Sequence, residues 1–220
     1  MFNLVHPATR PAAYRLSAAL TGLTTLTIVL AAPACGRAQS ERGEWVALFD
    51  GQTLQGWESW DAKGKADPAK NWKVEEGAIH GFGEVAHLFS ERGDYENFHL
   101  RAEIKIADKG NSGMYFRTQK GPGFPEGYEA QINSTGRDPV KTGSLYNRVL
   151  IKEILVPADE WFTYEVIAKG NHFTVILNGK TLYEYVDRAN QYPKGHIAFQ
   201  QHDPGSHVWI RKVEIMEFPQ

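Results

Sequence analysis

From Trp45 onward, apolar residues alternate with polar ones instead of recurring every third or fourth position. Leu100, Ala102, Ile104 and Ile106 alternate with Arg101, Glu103 and Lys105, and Phe173, Val175 and Leu177 with Thr174 and Ile176. A period of two, rich in β-branched and aromatic residues, marks strands with one buried face. Asp50-Gly51, Glu76-Gly77, Lys109-Gly110, Lys169-Gly170-Asn171 and Asn178-Gly179 punctuate the pattern. Asn178-Gly179 is the strongest hairpin signal, because both residue types accept the positive φ values of a type I′ turn. The spacing predicts about a dozen strands and one helical turn near Ala158–Glu160, folded as an all-β jelly-roll sandwich of two antiparallel sheets. No repeat of propeller or solenoid length is visible. The longest irregular stretch, Lys120 to Gly127, is a Gly/Pro loop, and such loops flank binding faces.

The first 34 residues break this pattern. Arg10 and Arg15 precede an apolar run from Leu16 to Leu30, which ends in Ala31-Ala32-Pro33-Ala34-Cys35. A basic start, a short apolar stretch and a small-residue cleavage site read as a secretory signal over residues 1–34. A membrane span needs roughly 20 predominantly apolar residues, and this run is shorter and interrupted by Ser17 and four threonines. Cys35 stands where a bacterial lipoprotein carries its lipid, although Ala32 occupies the place where Leu is usual. The mature chain is therefore expected outside the cytoplasm, either secreted or periplasmic, or anchored through Cys35. The remaining residues, 41–220, read as one domain.

Composition narrows the function classes. The 220 residues carry 24 Lys+Arg against 26 Asp+Glu, a near balance that offers no footprint for nucleic acid. Without the leader the count is 22 basic against 26 acidic residues, still only mildly acidic. One cysteine forms neither an intramolecular disulfide nor a thiolate metal site. There is no His-Glu-x-x-His, EF-hand loop, P-loop, Gly-x-Ser-x-Gly elbow or dinucleotide fingerprint.

Candidate chemistry gathers on predicted strand faces. In Gly127–Asn133, alternation turns Glu129, Gln131 and Asn133 to one face and Ala130 and Ile132 to the other. A solvated strand surface is the ordinary explanation of such a row, but its position after the Gly/Pro loop favours a ligand surface. In Asn111–Arg117, Met114 and Phe116 enter the core, leaving Gly113, Tyr115 and Arg117 opposite. Arg117 is then either a structural partner of Glu129 or a planar donor fork for an anionic oxygen. Gly113 permits close approach to the backbone or marks a bulge. Thr135–Asn147 offers Arg137, Asp138, Lys141, Ser144 and Tyr146 from a loop. His196, Ala198, Gln200 and His202 share one face near the carboxy terminus. His202 is the candidate proton carrier, and His80, His87, His99, His172 and His207 are expected to be surface or satisfied histidines. One strand presenting Glu129 and Gln131, an acid and an amide, differs from the paired carboxylates of a retaining glycosidase.

These residues sit in ordered motifs. Leu48–Trp57 reads LFDG-x-x-L-x-GW, Asn111–Arg117 reads NSG-x-x-x-R, Gly127–Ile132 reads GYE-x-QI, and Lys141–Tyr146 reads KTGSLY. Asp159–Phe162, Leu177–Lys180 and Phe199–His202 add an EW strand entry, an LNGK hairpin and a Q-x-H ending. Across residues 45 to 218 the chain resembles the 3-keto-disaccharide hydrolase domain family, departing from it at Arg211-Lys212-Val213, where Arg-Asn-Ile is usual. The resemblance implies a concanavalin A-like fold in an exported bacterial protein acting on an oxidised carbohydrate.

It also implies a chemistry that needs no second carboxylate. A ketone at C3 acidifies the C2 proton, so a base removes it, the group at C1 leaves by elimination, and water then adds to the enone-like sugar. In that scheme Glu129 and His202 serve as base and acid in one order or the other. Arg117 stabilises the enolate, directly or beside a divalent metal ion, and Asn111, Gln131, Lys141, Tyr146 and Gln200 hold sugar hydroxyls. The competing class is a carbohydrate-binding module using the same face for recognition alone, with Trp57 and Trp60 as stacking platforms or, more plainly, core residues. An envelope scaffold is a third class, which an apolar, covered sheet face would mark.

Overall fold

The computed structural model describes residues 43–219. The proposed leader and Cys35 lie outside the described residues.

Fourteen strands and one short 3-10 turn follow each other as β1 (Trp45–Ala47), β2 (Trp57–Asp61), β3 (Gly64–Lys65), the turn at Pro68–Lys70, β4 (Trp72–Glu75), β5 (Ala78–Gly81) and β6 (Ala86–Ser90). The chain continues through β7 (Phe98–Ile106), β8 (Ser112–Thr118), β9 (Tyr128–Ile132), β10 (Phe162–Lys169), β11 (His172–Leu177), β12 (Lys180–Val186), β13 (His196–Gln201) and β14 (Val208–Glu217). One sheet runs β12-β11-β10-β7-β14-β5-β4, with β1 also paired to β14; the other runs β3-β2-β6-β13-β8-β9. All pairings are antiparallel, which gives the expected all-β jelly roll.

The period of two in the sequence becomes burial in the fold. Along β7, Phe98, Leu100, Ala102, Ile104 and Ile106 are buried, and the residues between them are half-buried on the outer face. These side chains meet Met114, Phe116, Ile197 and Phe199 of the second sheet in one core. Each such burial contributes roughly 1.5–3 kcal/mol, so this layer fixes how the two sheets lie. The hairpin forms at Asn178-Gly179, with φ 49° and 73°. Asn178 Oδ1 also accepts from Thr163 N at 2.9 Å, which ties the turn to the neighbouring strand.

Two local expectations need correction. Ala158–Glu160 is a turn, and the helical turn occurs at Pro68–Lys70, where Asp67 Oδ1 caps Ala69 N. Pro at the first helical position and an acidic cap preorganise that short piece. Trp57 is buried, and its Nε1 donates to Leu48 O at 2.8 Å, so it braces the core rather than offering a stacking platform.

Candidate functional site

One face of the six-stranded sheet packs into the core, and the other forms the floor of a cleft of about 500 Å³. Strand alternation supplies the floor from three neighbours: β9 contributes Glu129 and Gln131, β8 contributes Tyr115, and β13 contributes Gln200. Asn111 enters just before β8 and His202 just after β13. The Gly/Pro loop adds Phe124 to Gly127, and the following loop adds Asp138, Tyr146, Asn147 and Arg148. The cleft thus unites Glu129, His202, Asn111, Gln131, Tyr146 and Gln200.

Glu129 lies directly opposite Tyr115 across the β8–β9 pair. Its carboxyl rests on Gly113: a Cβ there would collide with Oε1 and fall 2.9 Å from Cδ and Cγ. The glycine therefore marks a close approach of this side chain to the backbone. Burial raises the Glu129 pKa to about 8; the Tyr115 hydroxyl, by donating to the ionised form, opposes the rise, and the Asp138 carboxylate adds to it. With its amide turned to satisfy both polar atoms, Gln131 donates to Ser112 O at 2.9 Å and to Glu129 Oε1 at 3.2 Å. Burial pushes the Tyr115 phenol well above its usual range, so it stays a neutral donor.

His202 is half-exposed and its Nδ1 lies 2.9 Å from Asp203 Oδ2. A carboxylate on Nδ1 fixes the ring and leaves Nε2 for the cleft. The deeper histidine, His87, is buried, stands edge-on to Tyr115 at 5.5 Å, and has Gln200 Nε2 at 3.3 Å from its Nε2. Burial lowers its pKa to about 3, so it is a neutral hydrogen-bonding wall. Three buried polar atoms around this floor have no partner: Asn111 Oδ1, Gln200 Oε1 and His87 Nδ1. Such orphans are costly in a closed core and mark where a polar ligand completes the bonding.

Two expected site residues are elsewhere. Arg117 has φ 49°, and the β8–β13 register slips between His196 and Ala198. This bulge breaks the alternation and turns Arg117 into the protein. There its Nε and Nη2 donate to Glu96 O at 2.9 and 2.5 Å, Nη1 donates to Gly170 O at 2.6 Å, and the guanidinium lies 5.2 Å from the Phe173 ring centre. It neither pairs with Glu129 nor reaches the cleft. Lys141 is likewise spent on its own loop, its Nζ donating to Gly136 O at 2.7 Å and Asp138 O at 2.8 Å. Asn133 closes the same loop through Asp138 O, Val140 O and Gly136 N.

Sequence reasoning missed Tyr115 as a site residue, the placement of His87, and Phe124. His87 alternates with the core residue Leu88, but only its pairing with Gln200 across β6–β13 puts it in the site. Among the described residues no group of three or more His, Cys, Asp or Glu side chains is arranged to hold a metal ion.

A two-sheet antiparallel sandwich with a polar cleft across one face defines a jelly roll with a ligand-sized site. The chain belongs to the 3-keto-alpha-glucoside-1,2-lyase-like domain family, whose model matches residues 44–216. It is similar to a 3-keto-disaccharide hydrolase of Bacteroides thetaiotaomicron, 31% identical over 84 residues, a stretch covering 34% of this chain and 28% of that relative. A solved structure from Parabacteroides distasonis, described as a candidate glycosyl hydrolase, is 26% identical with a TM-score of 0.68 over 80% of this chain and 94% of that one. A carbohydrate-binding module from Bacillus subtilis (15% identity, TM-score 0.55, 74% and 96% covered) and a Bacillus licheniformis β-glucanase (14%, 0.54, 83% and 100%) share the fold.

Proposed function

We propose that the protein cleaves glycosides oxidised at C3, by elimination across C1–C2 followed by hydration. The observation that carries this reading is Glu129, a desolvated carboxyl set on Gly113 among neutral donors and holding its proton up to about pH 8. At neutral pH it is therefore suited to donate a proton, and His202, oriented by Asp203, is suited to accept one.

In the first half-reaction His202 Nε2 takes the C2 proton. The C2–H electron pair moves into the C2–C3 bond, and the ketone oxygen becomes an enolate. Asn111 Nδ2 and the Tyr115 hydroxyl, which protonated Glu129 does not require as a donor, are available to that charge, the role expected of preorganised dipoles. The Gln131 amide is held by Ser112 O and Glu129, and the Gln200 amide donates to the Tyr115 oxygen at 3.0 Å. The enolate then re-forms the ketone, the C1–O bond breaks, and Glu129 protonates the departing oxygen. The products are the alcohol and a sugar with a C1–C2 double bond conjugated to the C3 ketone. Hydration runs the same groups backward: the Glu129 carboxylate takes a proton from water as its oxygen bonds to C1, and protonated His202 returns a proton to C2. Atoms balance as glycoside plus water giving 3-keto-sugar plus alcohol.

A second reading comes from Asp138, which lines the same cleft. Glu129 and Asp138 would then act as an acid and base pair in direct hydrolysis, without need of the ketone. Incubation with a 3-keto-glycoside and its unoxidised parent decides between them. Elimination predicts aglycone release from the ketone alone; equal release from both supports the carboxylate pair, and binding without release leaves only recognition. Export is part of the proposal, and fractionation of cells producing the chain with Cys35→Ala separates lipid anchoring from free secretion.

A further inference from the structure

Phe124 is the most solvent-exposed large apolar side chain among the described residues, at 62%. An exposed aromatic on a floppy loop would mean little, but this loop is tied down on both sides. Lys120 Nζ bonds Glu58 Oε2 at 2.8 Å, Gly123 N donates to Asp61 O at 3.2 Å, and Gln119 N and Thr118 Oγ1 both donate to Glu126 O. Pro122 and Pro125 restrict the backbone on either side of Phe124. The ring stands edge-on to His87 with centroids 5.7 Å apart and lies 6.0 Å from His202. It thus overhangs the reacting groups without joining the core.

The cleft accordingly has two chemistries by depth. Its floor is polar, with Glu129, Gln131, Gln200 and Asn111, whereas Phe124 and Pro125 give the rim an apolar surface. The ring that loses its C2 proton must lie on the floor to meet His202 and Glu129. The leaving oxygen at C1 then meets Glu129 on the floor, and the group that this oxygen carries extends past the sugar ring toward the rim. We propose that Phe124 is a platform for the leaving group and gives the cleft a preference for a flat, apolar, aryl-type aglycone over a small alkyl one. This inference rests on the cleavage chemistry proposed above. Stacking of an aryl ring on Phe124 is expected to give about a tenfold preference, the size typical of one aromatic pair.

The test uses 4-nitrophenyl and methyl 3-keto-glucosides of one anomeric form. Dissociation constants are measured on the full chain carrying His202→Gln together with Glu129→Gln, so that the base as well as the acid is gone and neither ligand is consumed, with and without Phe124→Ala, Phe124→Leu or Phe124→Trp. The expected result is a roughly tenfold tighter aryl complex, lost in Phe124→Ala, largely lost in Phe124→Leu, and kept in Phe124→Trp. Equal binding of the two ligands, or an aryl preference that survives Phe124→Ala, overturns the proposal. Parallel release assays on the protein with Glu129 intact separate this outcome from the parent reading. Release without aryl preference removes only the platform, aryl preference without release removes only the cleavage chemistry, and neither binding nor release removes both.

Discussion

The outer face of the eight-stranded sheet and the cleft face of the six-stranded sheet are both rich in polar groups, but they treat them in opposite ways. On the outer face most charges have a partner. Arg101 bonds Glu214, Arg211 and Lys212 share Glu103, Lys73 bonds Glu75, and His99 meets Glu165. Trp45, Trp161 and Trp209 lie under Arg101, Arg211 and Lys105. In the cleft, by contrast, a half-buried carboxyl stands without a cationic partner, and the Asn111, Gln200 and His87 atoms named above lack partners. Solvated ion pairs contribute little each and cost little to keep. Unpartnered buried groups cost stability and persist where a ligand completes them. The difference supports placing the proposed chemistry on the cleft face, even though the outer face carries more charge.

Substitutions sharpen that contrast, beginning with the largest effect. Glu129→Gln should lower aglycone release by about 10³-fold or more while leaving the far-ultraviolet circular dichroism unchanged. The same variant should be more stable than the parent at alkaline pH. Because the folded pKa, about 8, lies above the ordinary value of 4.5 that the unfolded chain shows, the native state holds a proton that the unfolded state has lost, and stability falls as pH rises between those values. Thermal melts should show Glu129→Gln about 5 °C above the parent at pH 8, with the gap closing toward pH 4. Turnover by the parent should decline above about pH 8 as the donor ionises; a rate that instead climbs through pH 8 would assign Glu129 as the base.

Gly113→Ala comes next. The added methyl collides with the Glu129 carboxyl, so kcat should drop about 10²-fold with a stability loss of about 1–2 kcal/mol. Arg117→Met should reverse that ratio. Losing its bonds to Glu96 O and Gly170 O should cost about 3 kcal/mol in denaturant melts, with kcat of the folded protein within about twofold of the parent. The smallest effect belongs to the outer face. Arg211→Ala should change stability by less than about 1 kcal/mol, diminishing in high salt, and leave turnover alone.

Legibility in the sequence follows the same division. Period two and the turn residues made the strands and the Asn178-Gly179 hairpin readable, since both depend on local backbone preference. Glu129, Gln131, Gln200 and Asn111 were readable because each lies in or beside a regular strand. Arg117 was misread because alternation fails at a bulge, and nothing in Tyr115-Phe116-Arg117 announces one. His87 and Tyr115 needed the β6–β13–β8 order, a pairing across distant segments that no local window contains. Lys141 was readable as a loop cation, but its carbonyl partners appear only once the loop closes.

The most direct test of elimination is the fate of the proton at C2. A 3-keto-glycoside deuterated at C2 is turned over once in ordinary water by excess protein, and the mass of the released 3-keto-sugar is compared with an enzyme-free control. The account predicts slower release than from the protiated substrate, together with loss of the deuterium, because the deuteron taken up by half-exposed His202 exchanges with water before a proton is returned to C2. Aglycone release at an unchanged rate, with the deuterium retained, would contradict it.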